Sequence, residues 1–133
     1  MSLVDAIRKE YQDRGFSSTI TVDAALLPGG HRQYGRDDAE LRAGRRQYGI
    51  FNTISIINQS NAALVIRPDF VDDKKIVVPA GIIIGKDGIS FQEFDLLNID
   101  STETMAANTV HITVGFEPPL LRDHKAALGS RRR

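Results

Sequence analysis

Between Ile50 and Phe116 the chain is a succession of short apolar runs separated by turn-forming residues, and that pattern admits few folds other than packed antiparallel sheets. Strands are expected near 50–58, 62–67, 75–78, 82–85, 89–100 and 109–116. Asn58-Gln59-Ser60-Asn61 and Asp72-Asp73-Lys74 supply side chains that bond their own backbone in turns. Gly85-Lys86-Asp87-Gly88 reads as a hairpin, with glycine where a positive φ is needed. Pro79-Ala80-Gly81 interrupts a β run and marks a sheet edge or corner. In the last strand Val110, Ile112 and Val114 share one face and His111 and Thr113 the other, as a half-buried strand requires. The expected core is Ile56, Val65, Val77, Phe91, Phe94, Leu96, Ile112 and Val114.

One further strand is expected at 17–24, ended by Pro28-Gly29-Gly30. With it the chain has about seven strands, enough for a single antiparallel β-sandwich. The sandwich domain is thus expected over 17–116. It is preceded by an N-terminal helical arm, 1–16, with Ser2 as N-cap, an apolar stripe of Val4, Ile7 and Tyr11, and Gly15 as stop. So short a helix is marginal alone and must dock its stripe on something. Residues 117–133 form a basic C-terminal tail, opening with Pro118-Pro119, with a short helix expected from Leu120 to Leu128 and with Arg131, Arg132 and Arg133 at its end.

Residues 31–49 are polar, rich in arginine and glycine, and expected to form an extended arm or long loop within the domain. Their large apolar side chains are Tyr34, Leu41 and Tyr48, too few to offset a backbone ordering cost of roughly 1–2 kcal/mol per residue. The stretch contains Arg32-Gln33-Tyr34-Gly35 and Arg46-Gln47-Tyr48-Gly49, fourteen residues apart. The repeat reads either as coincidence or two similar turns, or as anchors on a partner, since Tyr and Arg are enriched at interface hot spots. On the second reading Arg32, Tyr34, Arg46 and Tyr48 contact another chain, and Arg131, Arg132 and Arg133 lie near acidic groups of a neighbour.

Composition narrows the function classes. A chain of 133 residues with 41% hydrophobic and 26% charged residues is ordinary for one globular domain. No apolar run approaches the roughly 20 residues of a membrane span, and the start lacks a basic segment followed by an apolar one, so a cytosolic origin is expected. The absence of cysteine excludes disulfides and thiol chemistry. The net charge of zero hides an asymmetry: residues 51–116 carry four basic against eight acidic side chains, and residues 117–133 five against two. An acidic body with a basic tail favours tail-to-body contacts between copies, and nucleic acid is not the expected partner because the body offers no basic face.

The search for chemistry returns no constellation. His31, His111 and His124 have no metal-ligand spacing, and His111-Ile112-Thr113 breaks the His-x-His pattern that a cupin metalloenzyme would show. No Gly-x-Ser-x-Gly occurs, and Gly85-Lys86 lacks the surroundings of a phosphate loop. Asp37-Asp38 and Asp72-Asp73 lack a calcium ladder and read as solvated turns. No catalytic residue, cofactor or metal is expected.

Several segments carry a family resemblance: Ile54-Ser55-Ile56-Ile57-Asn58, Leu64-Val65-Ile66-Arg67, Ile76-Val77-Val78-Pro79-Ala80-Gly81, Phe91-Gln92-Glu93-Phe94 and Val110-His111-Ile112-Thr113-Val114. In this order they resemble the small β-sandwich or jelly-roll structural proteins of tailed-bacteriophage virions. The resemblance covers about half of the chain and implies a non-enzymatic virion component present in many copies. A capsid decoration protein comes first, with a tail or neck protein as the alternative, bound to the major capsid protein or to tail or neck subunits and forming homo-oligomers. A carbohydrate-binding module of a cell surface is the competing class, weakened by the absence of Trp and by only three Tyr and six Phe.

Overall fold

The structure, a computed structural model, describes residues 16–35, 38–39, 41–42 and 49–117. The expected N-terminal helix and basic tail lie outside the described residues.

Among the described residues eight strands form: β1 (Phe16–Thr21), β2 (His31–Tyr34), β3 (Phe51–Asn58), β4 (Leu64–Pro68), β5 (Ile76–Val78), β6 (Ile83–Phe91), β7 (Phe94–Asn98) and β8 (Val110–Phe116). One sheet runs β1-β8-β3-β6 and the other β2-β7-β4-β5, and all pairs are antiparallel. The order has a simple logic: β1 pairs with β8, β2 with β7, β3 with β6 and β4 with β5. The chain is therefore one long antiparallel ribbon that doubles back between β4 and β5 and winds around a common core. Winding also brings β3 against β8 and β4 against β7, which closes each sheet. An isolated bridge, Leu26 to Met105, carries the ribbon across the corner between the sheets.

The two inner faces meet over a continuous core. Ile20, Ile54, Ile56, Val110, Ile112 and Val114 come from one sheet, and Tyr34, Leu64, Ile66, Ile76, Val78, Phe94 and Leu96 from the other. At one end an aromatic chain links the layers: Phe51 lies 5.5 Å from Phe91, Phe91 6.4 Å from Phe94 in an edge arrangement, and Phe94 5.0 Å from Tyr34 in a stack. Such geometries add to the burial of the rings.

Three buried asparagines tie the ribbon at its strand ends. Asn58, closing β3, donates to the carbonyls of Ala62, Val78 and Pro79, while its Oδ1 accepts from the N–H and hydroxyl of Ser60. Asn98, closing β7, donates to Leu26 and Glu103 and accepts from the Asp100 N–H. In both cases the side-chain oxygen bonds the N–H two residues on, the turn geometry that asparagine favours. Asn52 exchanges two hydrogen bonds of 2.7 Å with the backbone of Glu117.

The structure departs from the sequence expectations at four places. The 31–49 arm begins with a strand: β2 pairs residue for residue with β7, from His31 opposite Leu97 to Tyr34 opposite Phe94. Gly85-Lys86-Asp87-Gly88 is no hairpin, because β6 runs through it in register with β3. Gly88 does adopt a positive φ of 75°, but in an irregularity where the partner of β3 jumps from Asp87 to Phe91 as Thr53 gives way to Phe51. The stretch 89–100 is divided instead at Gln92-Glu93, whose N–H groups both donate to the Asp69 carboxylate. Lastly, the inner positions of β5 are Ile76 and Val78, leaving Val77 48% exposed. Val65, its cross-strand partner, is buried but on the opposite face from Leu64 and Ile66 and outside the main core cluster. The other six expected core residues are buried.

Candidate interaction surfaces

The expected anchors divide into two groups. Arg46, Tyr48, Arg131, Arg132 and Arg133 lie outside the described residues. Tyr34 is placed in the chain's own core, 2% exposed and stacked on Phe94, so its ring is not offered to a partner. The reason is its register: on β2 it faces Phe94, an inner position of β7. Leu41 is also fully buried, so the 31–49 stretch contributes to the domain more than its composition suggested. Arg32 is half-buried, with its guanidinium carbon 4.3 Å from the centre of the Tyr34 ring and one nitrogen 3.9 Å from Asp38. It shields the edge of the aromatic cluster, a cation–π arrangement that keeps its charge in solvent.

The outer face of the first sheet is largely uncharged, with Asp87, opposite Thr53, as its acidic exception. Thr19, Thr113, Ser55 and Gly85 stand in one cross-strand row, and Thr21, His111, Ile57 and Ile83 in the next. The Thr19 and Thr113 hydroxyls are 2.9 Å apart, as are the Thr21 hydroxyl and His111 Nδ1. His111 is therefore a half-buried surface residue engaged by a neighbouring strand. This face ends at the β5–β6 corner, where Ile82 and Ile83 are exposed.

The second sheet presents a charged row on its outside. Asp95 stands between Gln33 and Arg67, its side chain inaccessible, and both its oxygens accept from the Arg67 guanidinium. Arg67 also reaches Asp72 at 3.1 Å. The bonds to Asp95, and then that to Asp72, hold the guanidinium proton above its ordinary range, so Arg67 is a fixed cation. At the β7–β8 end, Asp100 accepts from the N–H groups of Glu103, Thr102 and Ala63, in that order of effect, and its carboxyl is held below the ordinary carboxylate range.

His31, expected in a loop, is an exposed residue of β2. Asp72 and Asp73 lie on a single 3-10 turn, and Asp38 accepts the Gly35 N–H, so each described acidic residue of these pairs has a local structural setting. Among the described residues, no group of three His, Asp or Glu side chains is placed to hold a metal ion. No helix among them is long and apolar enough to cross a membrane. Compared with known proteins, the chain matches no family model, and no curated protein is significantly similar to it.

Proposed function

We propose that the chain is a structural subunit of a tailed-bacteriophage virion, of the capsid decoration type, working by contact with other protein chains and without catalysis. The observation that carries this reading is the nested strand order, in which β1 to β4 pair in turn with β8 to β5. That is the order of an eight-stranded jelly roll, an architecture used by viral capsid proteins and also by lectins and cupins. Fold alone does not choose among these, so the residues must.

The interior favours the structural role over the cupin one. Inward-facing positions are filled mainly by Ile, Leu, Val and Phe; the asparagines at strand ends are engaged in backbone locks, and Arg32 and Lys86 hold inward register positions on edge strands. A lectin site generally stacks sugar rings on exposed aromatics; among the described residues the exposed large apolar side chains are Leu27, Val71, Val77, Ile82, Ile83 and Ile99. Short aliphatic groups and a hydroxyl-rich sheet face suit protein contacts better. The role in the particle also fits the resemblance carried by the segments between Ile54 and Val114.

The test is quantitative mass spectrometry of gradient-purified particles from lysates of cells that express the chain's source genome. Recovery at a fixed, high ratio to the major shell protein supports the reading. Exclusion of the chain from particles, with recovery in the soluble fraction alone, refutes it.

A further inference from the structure

Among the described residues the two sheets end on four strands, β1, β6, β2 and β5, and an open strand edge is a template for pairing with another chain. Three of the four are blunted. β5 has only three residues, preceded by Lys74-Lys75 and followed by Pro79. β2 has four and places Arg32 at a core-facing register position, opposite Leu96. β6 is long, but Lys86 occupies a core-facing position opposite Ile54, and the strand is broken in register near Gly88. Short length, inward-pointing charges and bulges are the devices that keep edges from associating.

β1 has none of them. Phe-Ser-Ser-Thr-Ile-Thr contains no charge and no proline, and Ser17, Thr19 and Thr21 are exposed. The Val22 N–H donates to the Val110 carbonyl, so the backbone groups of even-numbered residues here turn toward β8. By alternation those of Ser17, Thr19 and Thr21 turn to the open edge.

We propose that this edge is a self-association surface: two copies pair β1 to β1, antiparallel, across a two-fold axis at Thr19. The proposal rests on reading the chain as an assembling subunit and names the surface it uses. A two-fold normal to the sheet requires paired residues of the same parity, so that side chains fall on the same face. Centring it on Thr19 uses all three outward-turned residues, with Ser17 opposite Thr21 of the other copy and Thr19 opposite itself. Two main-chain bonds for each of three such pairs gives about six in all. Registers centred on Ser18 or Ile20 leave one of the three residues unpaired.

Side-chain chemistry selects a second copy as the occupant. On the outer face every facing pair is Ser or Thr, a favourable cross-strand combination, and the Thr19–Thr113 hydroxyl row continues across the join, while Ser18 faces Ile20 on the inner side. The same operation on β6 is less favourable: a two-fold at Lys86 or Asp87 sets like charges directly opposite each other, and one at Gly85 sets the charged Asp87 opposite Ile83. Pairing at β1 fuses the two outer faces into one continuous sheet, and it consumes the open edge, so association stops at the dimer.

Sedimentation equilibrium of the full chain tests this. Wild type is expected to be a monomer–dimer system. Thr19→Pro removes an outward N–H but no bond to β8, a placement that edge strands tolerate. It is expected to be monomeric, with a far-ultraviolet spectrum and cooperative melt showing the fold intact. Independently of that variant, Thr19→Lys and Thr19→Glu on the exposed face should each be monomeric alone and form a heterodimer when mixed. A wild type that stays monomeric, a Thr19→Pro dimer, a mixture that associates no better than its components, or open-ended oligomers would each overturn the proposal. A monomeric wild type leaves the virion reading standing, because that reading is decided by particle composition.

Discussion

Replacing Asn58 probes the corner where β3 leaves its sheet. Its amide donates to Ala62, Val78 and Pro79 at 2.9, 3.3 and 3.1 Å, and its oxygen accepts from the Ser60 N–H at 3.0 Å. Asn58→Ala removes all of these at a site 1% exposed. Pro79 is exposed and can turn to water, and the Ala62 carbonyl keeps the Ser60 hydroxyl at 3.3 Å. The Val78 carbonyl and Ser60 N–H lose their asparagine partner. At about 1–3 kcal/mol for each buried polar group left unpaired, the expected cost for the two is about 2–6 kcal/mol. Asn58→Asp separates geometry from donor capacity. A carboxylate there faces carbonyl oxygens with no proton to give, so near neutral pH it should destabilise more than alanine. Burial and those carbonyls raise its folded-state value above about 3.9, the unfolded one. The folded form then binds the proton more tightly, and the variant should regain stability as pH falls from about 7 toward about 4. Urea denaturation at both pH values measures this. A cost below about 0.5 kcal/mol for alanine, within the range of an ordinary surface substitution, would refute the corner lock. So would an aspartate variant with the same deficit at both pH values.

Other substitutions address separate links. Phe94→Ala removes a ring with no exposed surface that contacts both Phe91 and Tyr34, and should cost about 3–5 kcal/mol by the same denaturation assay. Asn108 has a φ of 64°, so Asn108→Ala should cost about 1 kcal/mol and Asn108→Gly close to nothing, measured as melting shifts. Asp100 is held below the ordinary carboxylate range by backbone N–H donors, so its contribution is present above the unfolded value of about 3.9 and lost as pH falls through the lower folded value. Asp100→Asn should therefore flatten the acid limb of the stability curve below about pH 4 while leaving its upper limb unchanged in slope.

The fold was legible where burial is one-sided and failed where pairing alone decides. β8 announced itself through Val110, Ile112 and Val114, and its inner face is as the alternation requires. β2 offered one core side chain among His31, Arg32, Gln33 and Tyr34, and only its ladder with β7 makes it a strand. Gly85 to Gly88 carried strong local turn chemistry, but eight residues of β3 supplied a partner that overrode it. In β5 a run of Ile76-Val77-Val78 has no polar residue to mark the outer face, so the sequence left its register open by one. Tyr34 illustrates the same limit at the candidate site. Its burial depends on lying opposite Phe94, a contact sixty residues away in the chain. The uncharged character of 16–21 was visible in the sequence; that it forms an edge emerges only from the strand order.

The central claim is that this wound ribbon serves as a repeated building unit on a virion. A density map of the intact particle at a resolution that separates sheets tests it most directly. The account predicts many symmetry-related copies of a two-layer, eight-stranded sandwich seated on the particle and contacting neighbouring subunits, with β1-β8-β3-β6 in one layer and β2-β7-β4-β5 in the other. A map whose head, neck and tail density is fully accounted for by other chains, with no such sandwich, would contradict it.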